Sequence, residues 1–261
     1  MLGIRWTIGD VNPRGFDALR LSVWGAFRLF GEAARYVIYV NTIPLGEARA
    51  RTADLPDVIE WQVVERAIPA CLERHLDGGM AEGVAWKLVP LRAFPDDHEL
   101  ALDNDVVLWG VPPALARWLA DQTSFLLAAD VSACFGKFAS LCGERPINTG
   151  IRGLPPGFCL ETAIARVLSL HGAPLVSETD EQGLQVAAII GSGPTAVIDV
   201  EDVTICSPFP PHVPHLGRSG AHFVGLNTRR LGWTWQGRAA EDVRAEHWDA
   251  HVLEIARRVG M

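Results

Sequence analysis

Apolar and polar residues follow two recurring patterns along the chain, and together they predict strands and helices in alternation. Short apolar runs rich in β-branched and aromatic residues predict buried strands, whereas longer segments with apolar residues three or four positions apart predict helices. The predicted strands are Ile4–Asp10, Arg35–Asn41, Val58–Val64, Glu99–Leu102, Ser124–Ala129, Pro146–Arg152, Ala196–Ile205 and His222–Leu226. The predicted helices are Phe16–Phe30, Val84–Phe94, Pro112–Ala120, Cys159–Leu170, Asp180–Ile190 and Ala239–Val259.

This alternation predicts an α/β fold with a mostly parallel central sheet flanked by helices. The chain has 261 residues, a length that suits one α/β domain. The segment Ser207–Gly220 is rich in proline, histidine and glycine. We interpret it as a long loop within that domain, because long loops in compact domains are often functional.

Composition narrows the class of protein further. Hydrophobic residues make up 49% of the chain and the formal net charge is −8, which excludes a disordered chain and disfavours binding to nucleic acid. Five cysteines are present, an odd number without a Cys-x-x-Cys pair, and this argues against a disulfide framework or a zinc ribbon. Neither a signal peptide nor an integral membrane segment is evident from the sequence, so we expect a cytoplasmic protein.

Lysine is scarce in this sequence. Only Lys87 and Lys137 occur among 23 basic residues, and the others are arginines. Lys87 lies in a predicted helix, where it is either a solvated surface residue or a functional cation. Since arginine can grip phosphate with two hydrogen bonds, we expect arginine to be the main phosphate ligand of a chain with so little lysine.

The clearest candidate for chemistry is an acidic pair, Asp103 and Asp105, directly after the predicted strand Glu99–Leu102. Open α/β sheets bind ligands at the carboxyl ends of their strands. Two carboxylates there suit Mg²⁺ or Mn²⁺ shared with substrate phosphates, and a solvated turn is the alternative. The pair fits a haloacid-dehalogenase-type phosphatase, in which Asp103 would attack phosphorus, or a glycosyltransferase of the A-type fold. The 102 residues that precede Asp103 favour the second class.

Five short segments, in the right order, resemble the retaining glycosyltransferases related to glycogenin and to bacterial lipopolysaccharide galactosyltransferases. The segments are Leu102–Asp105, Ala128–Asp130, Ile147–Ile151, Asp180–Leu184 and His222–Gly225. The late motif of that family continues to Lys-Pro-Trp. Here Thr228 stands at the lysine position, and Arg229 and Arg230 follow it.

The resemblance implies roles for individual residues. Metal binding falls to Asp103, Asp105 and His222. Contacts with the donor's diphosphate or sugar fall to Asp103, Lys87 and one of Arg229 and Arg230. Independently of the resemblance, Asp10 lies at the end of the first predicted strand, where α/β sheets bind ligands, so we expect it to receive the base or ribose, with a turn or cap as an equal alternative. The residues that would surround the transferred sugar are Asp180, Glu181, Asn148, Asp130 and Gln182. For Asp180, capping of its predicted helix is an equal alternative.

We therefore expect a single-domain, metal-dependent glycosyltransferase of the A-type fold that acts with retention. Residues 1–105 would form the nucleotide-binding half and residues 106–261 the acceptor-side half. The donor would be a nucleotide-diphosphate sugar, with a uridine diphosphate sugar as the first candidate, and the cofactor Mn²⁺ or Mg²⁺. The acceptor would be a glycan, a lipid-linked or a small molecule. The alternatives are the phosphatase and a module that binds nucleotide sugar without turnover.

Overall fold

The computed structural model of the chain describes residues 1–64, 68–76, 85–172, 174–228 and 231–261. The strands are β1 (Leu2–Ile8), β2 (Ala34–Val40), β3 (Ile59–Val63), β4 (His98–Leu102), β5 (Val106–Leu108), β6 (Phe125–Ala129), β7 (Ile147–Leu154), β8 (Thr195–Ile198), β9 (Val203–Ile205), β10 (Gly220–His222), β11 (Thr234–Trp235) and β12 (Arg238–Ala239). The helices are α1 (Pro13–Phe30), α2 (Leu45–Thr52), α3 (Ala70–Glu73), α4 (Pro113–Leu119), α5 (Leu160–Leu170), α6 (Glu178–Ile190) and α7 (Ala240–Val259).

Seven strands form the main sheet in the order β3-β2-β1-β4-β7-β6-β8. Strands β3, β2, β1 and β4 run parallel to one another, and β6 runs parallel to β8. Strand β7 is antiparallel to both of its neighbours, β4 and β6. The sheet is therefore mostly parallel, as predicted. The reversed direction of β7 places its amino end beside the carboxyl ends of β4 and β6.

A second, smaller sheet joins the region after the acidic pair to the late part of the chain. Its order is β5-β10-β9, with β10 antiparallel to β5 and parallel to β9. In this register His222 lies opposite Val106, the residue that follows Asp105. The small sheet thus brings His222 to the acidic pair across more than a hundred residues of sequence.

Two large core clusters hold the main sheet between helices. One contains Trp6 of β1 and Leu100 of β4 together with Leu19 of α1. The other contains Leu127 of β6 and Leu184 of α6. Strands buried on both faces read as continuous apolar runs, which is why the sequence pattern identified them. None of the helices in the described ranges has the length and apolarity needed to cross a membrane.

Helix α1 begins earlier than the pattern predicted. The side-chain oxygen of Asn12 accepts a hydrogen bond from the Gly15 amide at 3.1 Å, so Asn12 is the N-cap and Pro13 the first helical residue. The Asn12 amide also donates to the carbonyl of Leu226. This cap therefore ties the chain just after His222 to the start of α1.

Three predicted elements differ from the structure. In Val84–Phe94, Val84 lies outside the described residues and the regular part of the remainder is a short 3₁₀ turn at Ala85–Leu88, since Pro90 cannot continue a helix. The extended segment Ala196–Ile205 breaks into β8 and β9 at a turn around Asp199. The strand predicted at His222–Leu226 ends at His222. Helix α2 was not predicted, because its exposed, Arg-rich sequence has a weak apolar stripe.

Candidate functional site

The predicted site residues collect at one edge of the main sheet because of its topology. Asp103 follows the carboxyl end of β4 and Asp130 follows the carboxyl end of β6, while Asn148 is the second residue of β7. The backbone amide of Asp103 donates to the carbonyl of Gly150 at 2.8 Å. The acidic turn is therefore fixed directly against β7.

Asp103, Asp105 and His222 form a group that could hold a metal ion. One ligand atom from each lies within 4.8 Å of the others. Nε2 of His222 is 3.4 Å from Oδ1 of Asp105 and 4.0 Å from Oδ2 of Asp103. Oδ1 of Asp105 is buried and receives no hydrogen bond from the described residues. A buried carboxylate oxygen without a donor is costly, and a bound cation would remove that cost.

The charges in this group depend on one another. Burial opposes protonation of His222, but its contacts with Asp105 and Asp103 outweigh burial and raise its pKa. Burial likewise favours the neutral form of Asp103, but Lys87 and His222 outweigh it and keep the pKa of Asp103 low. Both carboxylates therefore favour a nearby cation, which is the environment that a divalent ion requires.

Lys87 lies next to Asp103, on the 3₁₀ turn Ala85–Leu88. Its Nζ is 2.6 Å from Oδ2 of Asp103, and 42% of its side chain is exposed. Burial opposes the charged form, but Asp103 and Glu181 outweigh it and raise the pKa of Lys87. The Lys87 carbonyl accepts a hydrogen bond from Arg5 at 3.3 Å. Lys87 is thus a charged, solvent-accessible group held at the acidic turn.

Glu181 is a buried carboxylate whose charge interacts with Lys87 and Asp103. Its residue is 2% exposed, and burial raises its pKa to about 7, with Lys87 acting in the opposite direction. One of its oxygens accepts a hydrogen bond from Gln185, one turn along α6. Glu181 therefore changes its ionisation near neutral pH, as acid–base and nucleophilic groups often do.

The other residues predicted around the sugar are engaged with the backbone. The Asn148 amide donates to the carbonyl of Ala129 at 3.0 Å and its oxygen accepts from the Gly150 amide at 3.0 Å. Oδ1 of Asp130 accepts from the Val131 amide at 2.6 Å. These contacts hold the ends of β6 and β7 together at the site.

Asp180 lies at the third position of α6, and the N-cap is Ser177. The alternative that Asp180 caps its own helix is therefore wrong. Its carboxylate instead accepts backbone hydrogen bonds from Lys137 and Val176, both at 2.9 Å. In these contacts Asp180 joins α6 to two neighbouring segments. The half-buried Gln182 donates to the carbonyl of Cys134 at 2.9 Å.

Of the remaining predicted donor contacts, the described residues include Asp10. Asp10 is exposed beyond the end of β1, where its carboxylate is 3.4 Å from a guanidinium nitrogen of Arg51. It lies at the same sheet edge as Asp103, because β1 and β4 are parallel neighbours. Arg229 and Arg230 lie outside the described residues.

Several residues that complete the site were missed by sequence reasoning. A glycine is required at position 150, because a Cβ atom there would lie 2.5 Å from Cε1 of His222. Asn104 and Asn227 exchange hydrogen bonds at 2.8 and 2.9 Å beside Asp105. Arg152 and Gln185 connect to Glu181 through side-chain hydrogen bonds. A charged residue within a predicted buried strand, such as Arg152, was the signal available in the sequence.

Two cavities differ in their relation to this site. A small one of about 40 Å³ is lined by Lys87, Asp103, Asn104 and Arg152. A larger cavity of about 770 Å³ is lined in part by residues 89–92, which follow Lys87. None of its described lining residues belongs to the candidate site. The smaller cavity adjoins the candidate site, because Asp103 and Lys87 line it together with Arg152.

Two solved structures are similar to this chain over nearly its whole length. The galactosyltransferase LgtC in complex with donor and acceptor sugar analogues gives a TM-score of 0.58 at 12% identity, covering 95% of each chain. An active-site mutant of LgtC gives 0.57 at 13% identity with the same coverage. No protein-family model matches the chain, and no curated protein is similar to it at a significant level. The likeness confirms the predicted A-type glycosyltransferase fold.

Proposed function

We propose that this protein is a metal-dependent glycosyltransferase. The observation that carries the proposal is the convergence of Asp103, Asp105 and His222 at the ligand-binding edge of an A-type sheet, with a buried Asp105 oxygen that lacks a donor among the described residues. The solved galactosyltransferase with the same fold supports the reaction class.

The ligand set fits a small divalent cation. Two carboxylates and one imidazole nitrogen are acceptable to Mn²⁺ and Mg²⁺, and the remaining positions are left for substrate phosphates and water. When bound, such an ion neutralises charge that develops on the leaving diphosphate. Asp103, Asp105 and His222 would hold it, and Lys87 would supply a second positive charge on the same side.

The transfer breaks the bond between the sugar's anomeric carbon and the diphosphate oxygen, whose electron pair stays with the diphosphate. The acceptor's hydroxyl oxygen then forms a bond to the anomeric carbon, and its proton passes to the departing phosphate. We assign the carboxylate on the sugar side to Glu181, because both oxygens of Asp180 accept backbone hydrogen bonds. In a retaining reaction Glu181 would stabilise or capture the positive anomeric carbon.

The finer parts of the proposal concern the substrates. We infer a nucleotide-diphosphate sugar as donor, with a uridine diphosphate sugar first, and a glycan, lipid-linked or small-molecule acceptor. Asp10, Arg229 and Arg230 are assigned to the nucleotide and diphosphate, whereas Asn148 and Asp130 shape the sugar pocket. Residues 1–105 would supply the nucleotide-binding half and residues 106–261 the acceptor-side half. We place the reaction in the cytoplasm.

The first test measures thermal unfolding with nucleotide diphosphates and their sugars, with and without Mn²⁺. A ligand that binds the folded state raises the melting temperature, so the responding nucleotide identifies the donor. Asp105→Asn should abolish the response that depends on Mn²⁺. Asp249→Asn removes an exposed carboxylate that is not one of the candidate metal ligands, and this variant should retain the response to Mn²⁺.

The second test measures turnover of the responding donor. Sugar transfer or donor hydrolysis that requires Mn²⁺ and is lost in Asp105→Asn supports the proposal. Binding of nucleotide sugar without any turnover would indicate a binding module instead. Phosphate release from an aryl phosphate, abolished in Asp103→Asn, would indicate the phosphatase.

A further inference from the structure

Three buried side chains form a hydrogen-bonded chain beneath the site. A terminal guanidinium nitrogen of Arg152 donates to the side-chain oxygen of Gln185, and the Gln185 nitrogen donates to Oε1 of Glu181. The exposed fractions of the three residues are 3%, 2% and 2%. Arg152 lies in β7 and the other two lie one turn apart on α6, so the chain joins the sheet to the helix that carries Glu181.

The direction of this chain is fixed by chemistry. Arginine has only donors, so the side-chain oxygen of Gln185 must face Arg152. The Gln185 nitrogen must then face Glu181, because an amide has its oxygen and nitrogen on opposite branches. A flip of the amide would place two donors against each other at Arg152 and two acceptors against each other at Glu181. Arg152 therefore determines which group of Gln185 meets the Glu181 carboxylate.

Arg152 is buried between the sheet and α6 with most of its hydrogen-bonding capacity unused. Its Nε and second terminal nitrogen are buried and donate to no partner among the described residues. Burial and the neighbouring Arg5 lower its pKa to about 9, so it remains charged at neutral pH. A buried cation with unused donors destabilises a fold, so we look for a role that the one described contact serves. Its one described hydrogen bond leads to Glu181 through Gln185.

We propose that Arg152 and Gln185 are positioning residues, which hold the Glu181 carboxylate in one orientation toward the substrate. The inference rests on the proposed function of Glu181 in sugar transfer. Gln185 supplies the contact, and Arg152 acts through Gln185 by fixing its amide. When a reacting carboxylate is misplaced by about 1 Å, the reaction rate can fall on the order of 100-fold. Residues that hold Glu181 in one orientation would therefore preserve the rate.

One informative variant is Gln185→Glu. A carboxylate at this position still accepts from Arg152, so a purely structural partner of Arg152 would tolerate the change. Its ionised form cannot donate to Glu181 and repels that carboxylate, whereas a proton shared by the two carboxylates would restore the contact, so the loss should deepen as pH rises. We expect kcat to fall about 10- to 100-fold with the donor KM changed less than about threefold. Gln185→Met, which removes both contacts, should show the same separation of kcat from KM.

A double-mutant cycle tests whether Arg152 acts through Gln185. Arg152→Met alone should lower kcat by about tenfold, but it should add less than about twofold in the Gln185→Met background. Arg152→Lys keeps a donor-only cation and should recover part of the loss. Tyr36→Phe serves as a control for loss of a buried contact. It removes a hydrogen bond to the carbonyl of Gly31, near the start of β2 and away from the sheet edge that carries the site.

The outcomes separate this inference from the proposed function. An active wild type whose kcat survives in Gln185→Met, or additive effects of Arg152→Met and Gln185→Met, overturns the positioning role and leaves the transferase intact. A wild type that turns over no donor with Mn²⁺ overturns both. If Gln185→Glu melts below the assay temperature, Arg152→Lys and Gln185→Met decide the question by the same criteria.

Discussion

At the scale of single residues, the site depends on close contacts between backbone and side chains. Gly150 lies where the pairing of β7 with β6 shifts, between the partners Leu127↔Arg152 and Ala128↔Asn148. Its carbonyl accepts from Asp103 and its Cα faces the imidazole of His222. One small residue thus sets the separation of two candidate metal ligands.

Gly150→Ala should therefore weaken metal binding while the fold persists. The new methyl group would lie 2.5 Å from the His222 ring, so the ring must shift from the position in which it contacts Asp105. We expect Mn²⁺ affinity, measured by calorimetry, to fall about 10- to 100-fold, as it does when supports of metal ligands are removed. Gly46→Ala, at a helical glycine with open space around it, is the control. Unchanged affinity in Gly150→Ala would count against His222 as a ligand.

Lys87 and a metal ion compete for the same carboxylate. Nζ of Lys87 lies 2.6 Å from Oδ2 of Asp103, so a divalent cation approaching Asp103 meets a like charge. Lys87→Met should raise Mn²⁺ affinity by about tenfold through loss of this repulsion. The same variant should slow sugar transfer, because a charge facing the diphosphate is lost. Calorimetry measures the Mn²⁺ affinity and a turnover assay measures the rate of sugar transfer. If both fell in Lys87→Met, Lys87 would not compete with the metal ion for Asp103.

At the scale of elements, the start of α6 matters because it carries Glu181. The hydroxyl of Ser177 accepts a hydrogen bond from the Asp180 amide at 3.2 Å and caps this helix. Ser177→Ala should lower the free energy of unfolding by about 1 kcal/mol, whereas Ser177→Asn, another good N-cap, should restore most of it. Urea denaturation measures both. Equal stability of Ser177→Ala and the wild type would show that the Asp180 carboxylate alone secures the helix start.

The elements also show what the sequence pattern can and cannot predict. Buried strands such as β2 and β6 were predicted within one or two residues of their bounds, since continuous apolar runs leave little ambiguity. Helix α2 was missed because its residues face solvent, and the region around Lys87 was predicted as a helix because its apolar spacing concealed the effect of Pro90. The local pattern thus identified the elements whose residues pack in the core. It failed for an element exposed to solvent and for a segment interrupted by proline.

For the site, the sequence indicated candidate metal ligands but not the residues that support them. Asp103 and Asp105 stood out as an acidic pair after a strand, and His222 through a segment that resembles a family motif. Arg152 and Gln185 belong to different elements, and their contact exists only once β7 packs against α6. Arg5 and Glu99 are likewise buried on adjacent strands, 3.4 Å apart, with nothing in the local sequence to pair them. Such contacts follow from topology, which a single sequence pattern does not contain.

At the scale of the whole molecule, the net charge of −8 conceals a concentrated set of buried charges. Arg5, Arg152, Glu99 and Glu181 are each at most 3% exposed. Buried ions stabilise a fold only when well paired, so this arrangement should cost stability in exchange for a preorganised site. Glu181, whose pKa burial raises to about 7, makes that cost measurable.

The stability of the protein should accordingly depend on pH through Glu181. Burial raises its pKa from about 4.5 to about 7, so the folded state holds this proton more tightly than the unfolded chain. The stabilisation is complete below about pH 4.5 and is lost as pH rises through about 7. Relative to Glu181→Gln, which cannot titrate, the metal-free wild type should lose about 3 kcal/mol of unfolding free energy over that range.

Urea denaturation in EDTA at several pH values from 5 to 8 measures this difference. The comparison between wild type and Glu181→Gln cancels groups that titrate equally in both, and Glu178→Gln, an exposed position on the same helix, controls for loss of a charge. A difference that stays constant with pH would show that Glu181 is ionised throughout the range. Excess Mn²⁺ adds positive charge near Asp103, so it should lower the pKa of Glu181 and move the whole transition to lower pH.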